Sequence, residues 1–245
     1  MTTNYDPIAE QYQRSKQAPW RVHIEAHTLL GLVGNLQGLD VLDVACGEGF
    51  YTRRLHQQGA AHVTGVDLSA GMIALAQEQE QRHALGITYT VGDACDLPYM
   101  NRFDLVAAAY LLNYAPDRTV LQAMCNGIAR SLKPGGRFIT VNSSPALHFP
   151  SAPSFRRYGF ETEIQGPFGE GTPITWRFHL ADGPFEIENY YLDTAIHEAA
   201  LRAAGFSEVR WHAPQLSPAA NAEHAADHWN DFMGASPIAF LECVR

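Results

Sequence analysis

"VLDVACGEGFYTRRL", residues 41–55, runs from a dense apolar stretch straight into two glycines flanking one acid. Val41, Leu42 and Val44 suit a buried strand, and the pattern from Phe50 to Leu55 opens a helix. Between them Gly47-Glu48-Gly49 predicts a turn, because glycine lets backbone N–H groups approach a ligand closely. A strand, a glycine turn and a helix together make a nucleotide cradle. The dinucleotide form of that cradle needs G-x-G-x-x-G, the third glycine allowing tight helix–strand packing. Here that third position is Thr52, and the acid Asp43 lies upstream of the turn.

Outward from this stretch the chain alternates. "LDVLDVA", "HVTGVDLS", "ITYTVGDA", "RFDLVAAAYLLNYA" and "RFITVNSS" predict strands. "FYTRRLHQQGA", "AGMIALAQEQEQRHALG" and "RTVLQAMCNGIARSLKPGG" predict helices, the last closed by Pro134-Gly135-Gly136. Alternation at these lengths implies a parallel sheet covered on both faces, with ligands at the carboxyl ends of its strands. Before it, residues 4–18 and about 20–33 predict two helices. From about residue 145 to 191 glycine, proline and aromatics become frequent, and "ITWRFHL" and "FEIENYYL" predict short strands. That stretch is expected to cover the ligand edge as an insertion. A helix "TAIHEAALRAAG", a strand "FSEVRWHAP", a helix around "AANAEHAADHWNDFM" and a strand "PIAFLECVR" follow, the two late strands predicting an antiparallel sheet edge. The expected organisation is one domain: helical lid 1–35, core 36–144 and 192–245, insertion 145–191.

Composition narrows the function. The chain has 245 residues, 46% of them hydrophobic, enough for one sizeable core. Its formal net charge is -9 with no basic run, which argues against nucleic acid as a partner. No apolar run approaches the roughly 20 residues that span a membrane, and the polar N-terminus lacks a signal-peptide core. The four cysteines, Cys46, Cys95, Cys125 and Cys243, are scattered, which suits a reduced cytoplasmic protein. Cys46 reads as a small packing residue. The pairs His23/His27 and His224/His228 are spaced to share a helix face, but neither is HExxH and no third ligand is evident, so no metal is expected.

The ordered motifs resemble the class I S-adenosylmethionine (SAM)-dependent methyltransferases. The first motif is Asp43 with its glycine turn. Asp67, ending "HVTGVD", matches the acid that holds the ribose hydroxyls, and Asp93-Ala94 in "VGDACDLP" matches the adenine-binding pair. "FDLVAAAYLLNY" matches the strand leading into the active site, and "LKPGGRFI" the turn before the next strand. The resemblance implies a Rossmann-like α/β fold: a mostly parallel seven-stranded sheet with an antiparallel edge strand and helices on both faces. It also implies SAM as cofactor and S-adenosylhomocysteine (SAH) as product. The cofactor residues it suggests are Tyr12, Arg21, Ala45, Gly47, Gly49, Asp67, Leu68, Met72, Asp93, Ala94 and Ala109, with Tyr12 and Arg21 at the methionine end. Alternatives stay open: Asp67 as a cap of the helix from Ser69, Asp93 as an Asx turn, and Met72 as core. Ala45 departs from the family, which often carries glycine there.

Over the whole chain the pattern resembles the azapteridine N-methyltransferases of toxoflavin biosynthesis. The residues behind this are "YDPIAEQYQRSKQAPWRVHIEAHTLLGLVG", "GAAHVTGVDLSAGMIALAQ" and "ALRAAGFSEVRWHAPQLSPAA". It implies successive methylation of two ring nitrogens of a small planar heterocycle by a protein expected to be monomeric. Substrate-facing candidates are Tyr5, Trp20, Tyr110, Asn113, Tyr114, Asn142, Ser143 and Trp176, with His148 and His179 as candidate proton acceptors. A nicotinamide oxidoreductase shares the strand-end acid but not the Asp93-Ala94 or "KPGG" motifs. A non-catalytic SAM-binding module would share every cofactor motif.

Overall fold

In the computed structural model, which describes residues 9–225 and 227–245, β1 (Asp40–Val44) is central to the architecture. It pairs in parallel with β2 (His62–Asp67) on one side and β4 (Phe103–Ala109) on the other. Val41 packs into one apolar cluster, while Leu42 and Val44 pack into the other. Both faces of the strand are therefore dry, the condition under which a parallel strand reads as a continuous apolar run. With β3 (Thr88–Val91), β5 (Leu132–Ser143), β9 (Glu208–His212) and β10 (Ile238–Val244), the sheet order is β3-β2-β1-β4-β5-β10-β9. β10 runs antiparallel to both β5 and the outermost β9, giving the expected antiparallel edge of a Rossmann-like sheet. The order reverses between β1 and β4, which opens a crevice at the carboxyl ends of the strands.

Helices α3 (Phe50–Gln57), α4 (Ala70–Arg82), α5 (Arg118–Ser131) and α6 (Thr194–Ala203) join the strands. Three are capped by side chains that satisfy otherwise unpaired first-turn N–H groups. Ser69 accepts from Met72 N, Asp117 from Thr119 and Val120 N, and Asp193 from Ile196 N. α3 has no such cap and starts instead from Gly49, whose φ of 84° turns the strand-end loop into the helix.

Three elements differ from expectation. The helix expected over residues 20–33 is π-helical from Arg21 to Ala26 and becomes α2 (His27–Val33) only after that, ending at Gly34 as the sequence suggested. The single helix expected around residues 219–233 is two short ones, α7 (Ala220–Glu223) and α8 (Asn230–Gly234). Stacking of His224 on His228 and packing of both on Trp229 occupy the break. β5 begins at Leu132 rather than after the glycines, because Leu132 already pairs with Phe103 and the "KPGG" residues bulge before Arg137 meets Leu105.

Before the sheet, α1 (Ala9–Ser15) and the π-turn lie over the crevice side. The expected insertion contains a three-stranded antiparallel sheet, β6 (Phe160–Ile164), β7 (Pro173–Leu180) and β8 (Gly183–Tyr190). Its inner face is aromatic: Phe160 stacks on Trp176 at 5.4 Å and Phe178 on Phe185 at 4.9 Å. Trp20 lies 5.1 Å from Phe160 and 5.6 Å from Phe232, so the segment before the π-turn, β6 and α8 share one core. Among the described residues no helix is long and apolar enough to cross a membrane.

Candidate active site

The crevice is a cavity of about 490 Å3, within the range of small-molecule sites. Val44 and Ala45 line it from the end of β1, Asp67 and Leu68 from the end of β2, Asp93 and Ala94 from beyond β3, and Ala109 and Tyr110 from the end of β4. Gly47, Met72, Tyr114 and, from α1, Tyr12 complete the named wall.

The backbone here is strained in a way the sequence half reveals. Gly47 sits at φ 55°, and a Cβ on it would meet no protein atom within 4 Å. It is an open cradle beside the cavity. Ala45 at φ 57° and Tyr110 at φ 66° also adopt the left-handed region, which costs non-glycine residues about 1–2 kcal/mol each. Such strain collects at functional sites. Gly49 is different. It does not line the cavity, and a Cβ there would come within 2.9 Å of the Tyr89 ring. Its glycine serves the turn and the packing of Tyr89, correcting its assignment to the cofactor.

Asp67 is the most committed acid of the cavity. Its Oδ2 accepts from Gly47 N at 2.7 Å and its Oδ1 from Ser69 N at 2.8 Å. Burial pushes its pKa up, against these backbone donors. Each carboxylate oxygen can accept more than one hydrogen bond, so acceptor capacity remains for a pair of hydroxyls. Asp93 accepts from Cys95 N at 2.8 Å, the Asx turn considered above, and still lines the cavity. Asp43 lies behind the wall, fully buried, with its Oδ2 accepting from Thr52 Oγ1 at 2.6 Å. Burial raises its pKa to about 7.

Arg21 does not reach this cavity. It lines a smaller one of about 10 Å3 that shares Tyr12 and Tyr110 with the first and is otherwise walled by Trp20, Trp176, Phe178, Ile187 and Asn189. Its Nη1 donates to Glu25 Oε2 at 2.8 Å, both side chains being buried. Glu25 also accepts from Tyr51 Oη at 2.6 Å and Tyr110 Oη at 2.5 Å. Burial would raise the Glu25 carboxyl, but Arg21, Lys16 and the two hydroxyls outweigh it and hold the pKa down. Arg21 is thus already paired, which corrects its placement at the methionine end.

The uncommitted cation is Lys16, which sequence reasoning missed. It is buried, with its Nζ 4.7 Å from the Tyr12 ring, 5.4 Å from Tyr51, 5.7 Å from Tyr110 and 5.8 Å from Phe50. No hydrogen bond or ion pair holds its ammonium among the described residues, and burial lowers its pKa to about 8. Glu25 and Tyr51 were missed as well. An Arg21/Glu25 pair four apart in the apolar "RVHIEAH" was the available signal.

Of the substrate candidates, Tyr110 and Tyr114 line the larger cavity and Trp20 and Trp176 the smaller. Tyr5 lies outside the described residues. Asn142 and Ser143 are corrected to structural roles. Asn142 bridges Leu112 N and Thr140 Oγ1, and Ser143 donates to Asn189 Oδ1. Asn113 lines neither cavity, although its buried amide finds no partner among the described residues. His148 bonds Ser151 and His179 bonds Glu161, both away from the cavities, so neither is placed to take a proton from a ligand there. Cys46 is buried and its thiol is pushed well up by burial, consistent with packing. His23 is buried, bonding Ser217 and Glu223.

Residues 41–136 match the family model described as a methyltransferase domain. The chain is 38% identical over 110 residues to a ubiquinone biosynthesis O-methyltransferase of Coxiella burnetii, covering 44% of this chain and 45% of the relative. The chain thus matches less than half the length of that relative. It is 28% identical over 174 residues to N-demethylindolmycin N-methyltransferase of Streptomyces griseus, covering 69% of this chain and 70% of the relative. The solved structure of an S-adenosylmethionine-dependent methyltransferase from Mesorhizobium loti superposes with a TM-score of 0.63 at 21% identity, covering 94% of this chain and all of that one. The fold is the one the motifs implied, and the family model's match covers the residues that carry them.

Proposed function

We propose that this chain, which carries the class I methyltransferase domain and fold, is a SAM-dependent methyltransferase acting on a small planar N-heterocycle. One observation carries the cofactor assignment: Asp67, Asp93 and the open cradle of Gly47 converge on one cavity at the strand ends. Asp67 would hold the ribose hydroxyls through charge-assisted bonds, Asp93 and Ala94 the adenine edge, and Leu68 and Met72 its apolar face. Ala45 and Gly47 give the methionine end backbone room. When bound, SAM supplies an activated methyl group on a sulfonium. The chain's own contribution is alignment and exclusion of water, which can supply several kcal/mol of a barrier. Tyr12 and Tyr110 join the cofactor cavity to the smaller aromatic one, and the acceptor would be held at that junction.

Nitrogen is the favoured acceptor atom because, among the described residues, neither cavity is lined by a histidine and the two carboxylates of the larger one, Asp67 and Asp93, are assigned to the cofactor. An acidic ring N–H needs little help to lose its proton. The indolmycin relative methylates nitrogen by its name, in keeping with this. The sharpest version is successive methylation of two ring nitrogens of 1,6-didesmethyltoxoflavin, with residues 1–35 as the lid and 145–191 as the cover. Labelled SAM and a panel of N-heterocycles, phenols and carboxylates test it. Mass spectrometry should show one methyl, then two, added to didesmethyltoxoflavin. Methylation of a phenol or carboxylate alone would remove the heterocycle and leave the methyltransferase.

A further inference from the structure

The smaller cavity holds two unmet donors. Arg21 Nε and Trp176 Nε1 are both buried N–H groups without a hydrogen-bond partner among the described residues, and both residues line that cavity. Leaving such a donor unpaired and away from water costs the full desolvation of its N–H. Two of them at one void are a feature in need of a ligand atom. Two other polar groups of the wall are already engaged: Asn189 Oδ1 accepts from Ser143 while its Nδ2 donates to Glu188 O, and Tyr110 Oη donates to Glu25. The void, about 10 Å3, is the size of a single oxygen atom or water, not of a ring.

We propose that this void is a carbonyl-oxygen subsite: the acceptor lies at the Tyr12–Tyr110 junction and inserts one ring carbonyl oxygen between Arg21 Nε–H and Trp176 Nε1–H. The assignment rests on the functional reading above and names the acceptor's chemistry. The oxygen is neutral rather than anionic, because the Arg21 charge is already balanced by Glu25 at 2.8 Å. The guanidinium is also held in place, 4.6 Å from the Trp20 ring, 5.3 Å from Phe178 and 5.4 Å from Tyr110. The donors are thus fixed before the ligand arrives, which reduces the entropic cost of binding. A ring lacking a carbonyl would leave both donors unmet, and a site built to hydrogen-bond a group rejects the analogue without it.

The experiment measures binding, by calorimetry on the SAH-loaded protein, of lumazine, a planar bicyclic dione, and of pteridine, the same ring system without carbonyls. Lumazine should bind at least about tenfold more tightly than pteridine. Trp176→Phe keeps an aromatic ring but removes the donor, and Arg21→Lys keeps the charge facing Glu25 but removes Nε–H. Each should narrow the lumazine-to-pteridine ratio several-fold, with SAH affinity unchanged. Comparing two ligands within each variant cancels general loosening of the wall. Equal affinity for the two rings, no lumazine binding, or a ratio that survives both substitutions would overturn the subsite and leave the void as a site for a structural water. Failure of SAH itself to bind would instead overturn the methyltransferase reading beneath it.

Discussion

Gly47 and Asp43 sit four residues apart and act on the cavity by different physics. Gly47 occupies the left-handed region and a Cβ there meets no protein atom, so a side chain at this position meets the bound ligand. Gly47→Val should weaken SAH binding at least about 100-fold in calorimetry while the variant keeps a cooperative melt. Normal affinity would place the turn away from the cofactor. Asp43 carries a carboxyl raised to about 7 by burial, against the Thr52 hydroxyl and with help from Asp67. The unfolded chain loses that proton near pH 4 while the folded protein keeps it, so stability falls as pH rises from about 4 to about 7 and levels off above. Asp43→Asn removes this slope. The melting-temperature difference between variant and wild type should move in the variant's favour between pH 4 and 8, and a constant difference would deny the shift. Lys16 offers a third test, since among the described residues its ammonium has no anionic partner within ion-pair distance, and it lies by the Tyr12 and Tyr110 rings that line the cavity. Lys16→Met should weaken SAM about tenfold yet leave decarboxylated SAM unaffected, because only the former brings a carboxylate. Equal losses for both would make Lys16 a packing residue.

At the scale of elements, periodicity was a good guide where one element buries one face and a poor one where several pack together. β1, β2 and β4 were legible because both their faces are apolar and glycine or polar turns bound them. The π-turn at Arg21–Ala26 was not, because an extra residue per turn leaves almost the same local pattern in "RVHIEAH". What selects it is tertiary: Arg21, Glu25, Tyr51 and Tyr110 must meet in one buried network drawn from three elements. The split of α7 from α8 has the same origin in long-range ring packing, since His23 packs on His224 and Trp229, and Tyr158 on His228 and Trp229. Phe160 is the point at which these elements converge, fully buried with Trp20, Phe155, Trp176 and Phe232 around it. Phe160→Ala should cost about 3–5 kcal/mol in denaturant unfolding, the usual range for emptying an aromatic site. A loss below about 1 kcal/mol would mean that Trp20, Trp176 and Phe232 do not share a core with Phe160 in solution.

For the whole molecule, the order of motifs along the chain carried the sheet and the cofactor crevice, since Asp67 and Asp93 are strand-end residues whose position follows from the alternation alone. The smaller cavity was only half legible: Trp20 and Trp176 were named as aromatics, but their meeting at Arg21 depends on how residues 9–33 dock on β6–β8. That docking is extensive. Tyr12 lies edge-on to Phe185 at 6.5 Å, the Arg21 guanidinium approaches the Phe178 ring at 5.3 Å, and Arg14 pairs with Asp182 beyond β7. Tyr12 also lines the cofactor cavity, so a ligand that fixes Tyr12 stabilises both segments at once. Local opening is governed by such shared contacts, and a ligand that binds only the closed form slows it. Hydrogen exchange with and without SAH should therefore show slowing across residues 9–33 and across β6–β8 at matching ligand concentrations. Slowing confined to residues 9–33 would detach the insertion from the cofactor site. Exchange unchanged in both segments, with SAH shown to be bound, would leave the N-terminal helices as scaffold.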